Sequence, residues 1–193
     1  MTDHGLPTDG AEVMSDIFGA YANWSPDAPA VTASSAYGGR RTLTYGELDK
    51  LTTQTAASFL RFGIKPGERI AFMTSNNAGI EGVLSYLGAH KAGAVALPIN
   101  GRLTPTEVLP LARYAEISAL IVEAAYLEHA RAVRDGLENP PLIFVAGAAP
   151  EHNMIDFSEL QEIDLDAAAA SLPRVVPGDM ADWLFTSGTT AAP

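Results

Sequence analysis

The feature that most constrains this chain is a regular alternation of extended and helical patterns between residues 41 and 145. Residues 41–43, 69–73, 94–99, 119–122 and 141–145 read as short, largely apolar strands. Between them, apolar residues recur at helical period. In the first such stretch Leu48, Leu51, Thr55, Phe59 and Phe62 follow one another down one face, and Gly63 supplies a stop. Thr44, three residues before Glu47, has capping-box spacing, in which each residue satisfies a free N–H of the other. A second helix fits residues 77–91, with Ile80, Val83, Leu84 and Leu87 on one stripe and Gly93 at its end. Thr104-Pro105-Thr106-Glu107 opens a third with an N-cap, a proline at the first helical position and a capping-box glutamate. It should run to residue 115, and a fourth helix fits residues 124–137. Strands separated by helices need crossover connections, so the expected fold is α/β: a mostly parallel sheet with helices on both faces.

The flanks are less regular. Residues 1–8 are expected to be flexible. Residues 9–21 place Val13, Ile17, Phe18 and Tyr21 on one helical face, and Pro26 and Pro29 end that segment. Residues 30–33 and 41–43 then read as short strands around a Gly38-Gly39 turn. From 146 to 179 the pattern weakens. Ala167 to Ala170 give a short helical tendency that Pro173 and Pro177 break, and the stretch reads as a surface connection. Residues 181–185 form a last short strand, with Trp183 and Phe185 on the same side.

Charge and composition narrow the function. Lys and Arg number 12 against 23 Asp and Glu, a net charge of −11. A nucleic-acid coat protein needs clustered cations, so that class is excluded. Charged residues are 18% and hydrophobic ones 47%, which excludes disorder over most of the length. Without cysteine there is no disulfide, thiolate nucleophile or Cys-based zinc site. The opening Met-Thr-Asp-His-Gly-Leu-Pro lacks the basic and apolar stretches of a secretory signal, and no apolar run approaches the ~20 residues of a membrane span. A cytoplasmic location is the expectation.

Most polar residues have a structural reading. His4, His90, His129 and His152 are scattered and lack metal-site spacing. His90 and His129 lie on predicted helices and are expected to face solvent. Asp156, Glu159, Glu162, Asp164 and Asp166 read as a solvated face, and no metal site is assigned. Trp24 and Trp183 read as packing residues. Arg102 is expected to pair with an acidic residue inside the fold.

The chemistry concentrates at Phe185-Thr186-Ser187-Gly188-Thr189-Thr190-Ala191-Ala192-Pro193. Four hydroxyl side chains flank one glycine directly after a strand. Such a loop can aim N–H groups and hydroxyls at one anion, and Gly188 lets the backbone approach closely. The pattern has no lysine and is not a P-loop. On these residues alone an ordinary hydroxyl-rich turn is an equal reading.

Three blocks in order, however, resemble the AMP-forming acyl-CoA synthetases, which share a superfamily with peptide-synthetase adenylation domains and luciferases. Leu43-Thr44-Tyr45-Gly46-Glu47-Leu48 is similar to the family's first block. His90-Lys91-Ala92-Gly93-Ala94-Val95-Ala96-Leu97-Pro98-Ile99-Asn100 with Arg102-Leu103-Thr104 is similar to the second. Residues 185–193, preceded by Pro177-x-Asp179-x-Ala181, resemble the phosphate-binding signature, aromatic-Thr-Ser-Gly-Thr-Thr-Gly-x-Pro-Lys-Gly. The resemblance runs from about residue 16 onward. It departs at Ala191, where the family has glycine.

The resemblance implies the N-terminal part of the large domain of an ATP-dependent ligase. Such an enzyme joins a fatty or aryl acid to coenzyme A through an acyl-adenylate, using Mg2+ and ATP. It implies that Thr186, Ser187, Gly188, Thr189 and Thr190 hold the β- and γ-phosphates. It also implies that the catalytic residues lie beyond Pro193: a magnesium-binding glutamate, a ribose-binding aspartate and the lysine of a mobile C-terminal domain. The 193 residues alone are then expected to be inactive and to self-associate. Pro98-Ile99-Asn100 followed by Arg102-Leu103 is closer to CoA ligases than to amino-acid-activating domains. The latter, and a truncated non-catalytic binding or assembly protein, are the rival readings.

Overall fold

A computed structural model of the chain describes residue 8 and residues 10–186. The capping signals act where expected. Helix α2 spans Tyr45–Arg61; Glu47 N donates to Thr44 Oγ1 at 3.2 Å while Thr44 N donates to Glu47 Oε2 at 2.9 Å. Gly63, at φ +96°, turns the chain out of it. Helix α3 covers Gly79–Lys91 and α4 covers Pro105–Tyr114. At α4 the Glu107 carboxylate accepts from both Thr104 N (2.7 Å) and Thr104 Oγ1 (2.8 Å). Helix α5 is Leu127–Gly136. The first helix, α1, is Met14–Trp24, starting later than the sequence pattern indicated and ending before Pro26.

Strands β1 (Pro29–Ser34) and β2 (Arg40–Thr44) form an antiparallel pair. Strands β3 (Arg69–Met73), β4 (Val95–Pro98), β5 (Ala119–Glu123), β6 (Leu142–Ala146) and β7 (Ile155–Asp156) form a parallel sheet ordered β4-β3-β5-β6-β7. The chain moves outward from β3 to β4, then returns across β3 to β5. In sheets of this order the point of reversal opens a crevice at the carboxyl ends of the strands.

Both faces are covered, which is why the strands read as near-continuous apolar runs. On one face Leu48 and Phe59 of α2 and Ile80 and Leu84 of α3 meet Ile70, Ile121 and Phe144. Phe144 receives Phe59 and Phe62 edge-on, at centroid distances of 5.9 and 5.3 Å. On the other face Val108 and Ala112 of α4 and Ala130 and Val133 of α5 meet Ala71, Met73, Leu120, Val122 and Val145.

Four expectations need correction. The stretch 146–179 is not merely a surface connection: it contributes β7, a 3-10 turn over Phe157–Gln161 and a helix α6 over Leu165–Ser171. Phe157 and Leu160, three apart on that turn, are fully buried in the first core. The last strand is a single parallel bridge between Ala96 and Asp182. Ala96 N donates to Ala181 O (2.9 Å) and Trp183 N to Ala96 O (3.0 Å). The next rung would need an N–H from Pro98, which has none. Trp24 is 62% exposed, because Tyr21 takes the place against α2, stacked on Tyr45 at 5.0 Å, and Trp24 only covers its edge. Arg102 is exposed and makes no ion pair among the described residues.

Candidate functional site

The bridge to Ala96 is parallel, so residues 181–186 run beside β4 toward the carboxyl ends of the sheet. Just upstream, Val176 N donates to Asp179 Oδ2 and Asp179 N to Val176 O, both at 2.9 Å, which closes a turn that aims the chain at β4. Extended residues alternate between two sides. Trp183 and Phe185 take the α4 side, as their spacing indicated, and pack against the second core. Their centroids are 6.2 Å apart and lie 6.1 and 6.3 Å from that of Tyr114, the last residue of α4.

Asp182 takes the opposite side, where α3 lies. Its Oδ1 sits 3.3 Å from His90 Nε2. His90 is 5% exposed, against the expectation that it faces solvent. It continues the Val83 and Leu87 stripe at helical spacing, so its burial was signalled by a position that polarity obscured. Tyr86, one turn earlier on α3, places its ring edge-on against the imidazole, with centroids 4.4 Å apart. Burial, then the Asp182 carboxylate, raises the Tyr86 hydroxyl above the usual tyrosine range. His90 Nδ1 is buried without a partner among the described residues. A cavity of about 270 Å³ adjoins this histidine, walled by Glu12, Gly93, Val176, Asp179 and Ala181.

Of the five residues assigned to phosphate binding, Thr186 is exposed and directly follows this anchored stretch. Ser187, Gly188, Thr189 and Thr190 lie outside the described residues, as does Ala191. The other candidates are structural. His129 does not face solvent freely, since its Nε2 donates to the Leu103 carbonyl at 2.8 Å. Asp156 and Asp164 cap the two turns that follow them. Among the described residues no group of three His, Asp or Glu could hold a metal ion. No described helix is long and apolar enough to cross a membrane.

Sequence reasoning did not assign three buried charges. Lys91 bonds to Asp49 Oδ1 (2.6 Å), Asp49 O (3.0 Å) and Thr53 Oγ1 (2.9 Å). Glu81 accepts from Ser35 and Ala36. Glu123 is buried at the carboxyl end of β5, next to the point of reversal. Local pattern carried no sign of the partners of Lys91 and Glu81, which come from distant elements.

A family model described as AMP-binding enzyme matches residues 18–193. A 3-hydroxybenzoate/4-hydroxybenzoate–CoA ligase of Thauera aromatica is 34% identical over 154 residues, covering 79% of this chain and 29% of that protein. A 3-hydroxybenzoate–CoA ligase of Aromatoleum sp. (strain CIB) is 33% identical over 169 residues, covering 86% and 30%. Among solved structures, an anthranilate CoA ligase, AuaEII, determined with anthranoyl-AMP, superposes with a TM-score of 0.77 at 23% identity, covering 98% of this chain and 35% of that one. That likeness shows the shared fold. The chain spans about 30% of the length of the curated relatives it matches.

Proposed function

This chain belongs to the AMP-binding enzyme family, and from that premise we propose that it is the N-terminal portion of an AMP-forming carboxylic acid–CoA ligase. The proposed reaction has two steps. A carboxylate oxygen attacks the α-phosphorus of ATP, forming an acyl-adenylate and releasing pyrophosphate. The coenzyme A thiol then attacks the acyl carbon, releasing AMP and leaving a thioester. The physical obstacle is charge, because an anionic nucleophile must approach a polyanion. Donors aimed at phosphoryl oxygens and fixed positioning supply the answer.

The observation that carries this reading is the anchored approach of residues 181–186 along β4, which delivers Thr186 toward the carboxyl ends of the sheet. Thr186, with Ser187, Gly188, Thr189 and Thr190, would hold the β- and γ-phosphates. Mg2+ would enter on the triphosphate. The two hydroxybenzoate ligases among the relatives favour an aryl acid over a fatty acid. The protein would work in the cytoplasm on small molecules, with no nucleic-acid partner. The 193 residues alone would be inactive. Met180 and Leu184, exposed on the segment that bridges to β4, and Tyr114, exposed against Trp183 and Phe185 of that segment, favour their self-association.

The test is a pyrophosphate-release assay on the full-length protein with a panel of aromatic and aliphatic acids, identifying the nucleotide product. Acid-dependent pyrophosphate and AMP are expected. ADP as the product, or turnover indifferent to the acid, would overturn the proposal.

A further inference from the structure

We infer that His90 and Asp182 form a positioning pair that sets where the nucleotide loop begins. The effect on nucleotide binding rests on the reading above; the pairing rests on geometry alone.

The segment before Thr186 is weakly tied by its backbone. It makes two hydrogen bonds to Ala96, and Pro98 blocks the next. Side chains must therefore hold it in place. On the α4 side, Tyr114 is 59% exposed, so the ring cluster with Trp183 and Phe185 is open to water on one flank. On the α3 side, Asp182 meets a group that cannot shift, since His90 is buried on a long helix and wedged by Tyr86. With Nδ1 unpartnered, Asp182 provides the sole hydrogen bond to the imidazole among the described residues. Sliding Asp182 along β4 would leave a buried imidazole with none, a penalty that ordinary surface ion pairs do not carry. Asp182 is four residues from Thr186, so a displacement there shifts the point from which the loop starts. A misplacement of about 1 Å can cost about a hundredfold in a positioned reaction.

The experiment uses Asp182→Ala and Asp182→Asn in the full-length protein. Amide exchange is followed at Trp183, whose N–H bonds Ala96 O, and at Ile121 in central β5 as the reference for intact folding. Asp182→Ala is expected to speed exchange at Trp183 but not at Ile121, and to raise KM for ATP at least about tenfold with KM for the acid unchanged. Asp182→Asn, whose amide oxygen can still accept from His90 Nε2, is expected to restore both. Unchanged exchange at Trp183 in Asp182→Ala overturns the pairing, whatever the protein's activity. Faster exchange with an unaltered KM for ATP overturns the positioning role while leaving the ligase reading intact. Absence of acid-dependent ATP turnover in the unsubstituted protein overturns the ligase reading, and the Trp183 exchange then decides the pairing by itself.

Discussion

Glu81 Oε1 accepts a 2.6 Å hydrogen bond from Ser35 Oγ, and its other oxygen accepts the Ala36 amide at 2.9 Å. The carboxylate is buried on α3, and its two donors sit where β1 leads into the Gly38-Gly39 turn. The hairpin is thereby fastened to the main sheet's covering helix. Glu81→Ala strands both donors, and urea denaturation should show a loss of about 2–3 kcal/mol. A loss below about 0.5 kcal/mol, the size of an ordinary surface change, would contradict this account.

Lys91 is 7% exposed, and its partner Asp49 is partly open to water. Burial lowers the Lys91 pKa, with Asp49 opposing. Removing the partner alone strands a buried cation, so Asp49→Ala should destabilise more than Lys91→Met, which removes the charge itself. A folded pKa below the unfolded ~10.4 means that the unfolded chain binds more protons in that window. Stability from this group therefore rises with pH up to ~10.4. The stability difference between the unsubstituted protein and Lys91→Met should grow across that range, and a flat difference would refute it.

Asp156 accepts from Tyr37 Oη at 2.7 Å and from Ser158 N at 2.8 Å. Burial alone would raise its pKa, but the hydrogen bonds from Ser158 and Tyr37 outweigh it and the value is lowered. A lowered carboxylate contributes stability above the unfolded ~3.9 and loses it as pH falls through the folded value. Asp156→Asn should thus cost stability at pH 7 and lose less of what remains on acidification below about 4. Parallel acid titrations of the two proteins, followed by circular dichroism, would test the sign.

Gly147 and Gly38 both have positive φ, +76° and +104°. A Cβ at Gly147 would come within 2.5 Å of the Ala36 carbonyl oxygen, while one at Gly38 would meet nothing within 4 Å. Gly38→Ala should cost only the left-handed backbone term, about 1–2 kcal/mol. Gly147→Ala should cost clearly more, because backbone must move. Equal thermal midpoints for the two variants would show that the loop after β6 yields freely.

Thr186→Ala in the full-length protein should weaken ATP binding by about tenfold, the equivalent of one charge-assisted hydrogen bond of about 1.4 kcal/mol, measured by calorimetry. Acid binding should be unaffected.

Much of this protein was legible residue by residue. Thr44 with Glu47, Thr104 with Glu107, and Gly63 carry helix boundaries because caps and stops are satisfied within one turn of chain. The apolar runs of β3, β5 and β6 announce a sheet covered on both faces because a strand's two sides are both visible in its own sequence. The candidate phosphate loop stands out in sequence for a similar reason: Thr186, Ser187, Gly188, Thr189 and Thr190 are consecutive, so the proposal that they hold phosphates needs no distant partner. What tertiary structure alone decided involves partners far apart in sequence. The place of His90 on the Val83 and Leu87 stripe is visible in sequence, but its partner is not: no neighbour in sequence reveals that Asp182 will reach it across 92 residues. The stretch 146–179 read as a connection because Phe157 and Leu160 become core only once α2 and β6 have built the pocket they fill. The last strand shrank to one bridge because its partner in space, Pro98, cannot donate, and nothing within residues 181–185 specifies that partner. Local free-energy terms are encoded locally; a buried polar pair, a shared core and a blocked ladder each depend on two distant segments meeting, and only the folded chain brings them together.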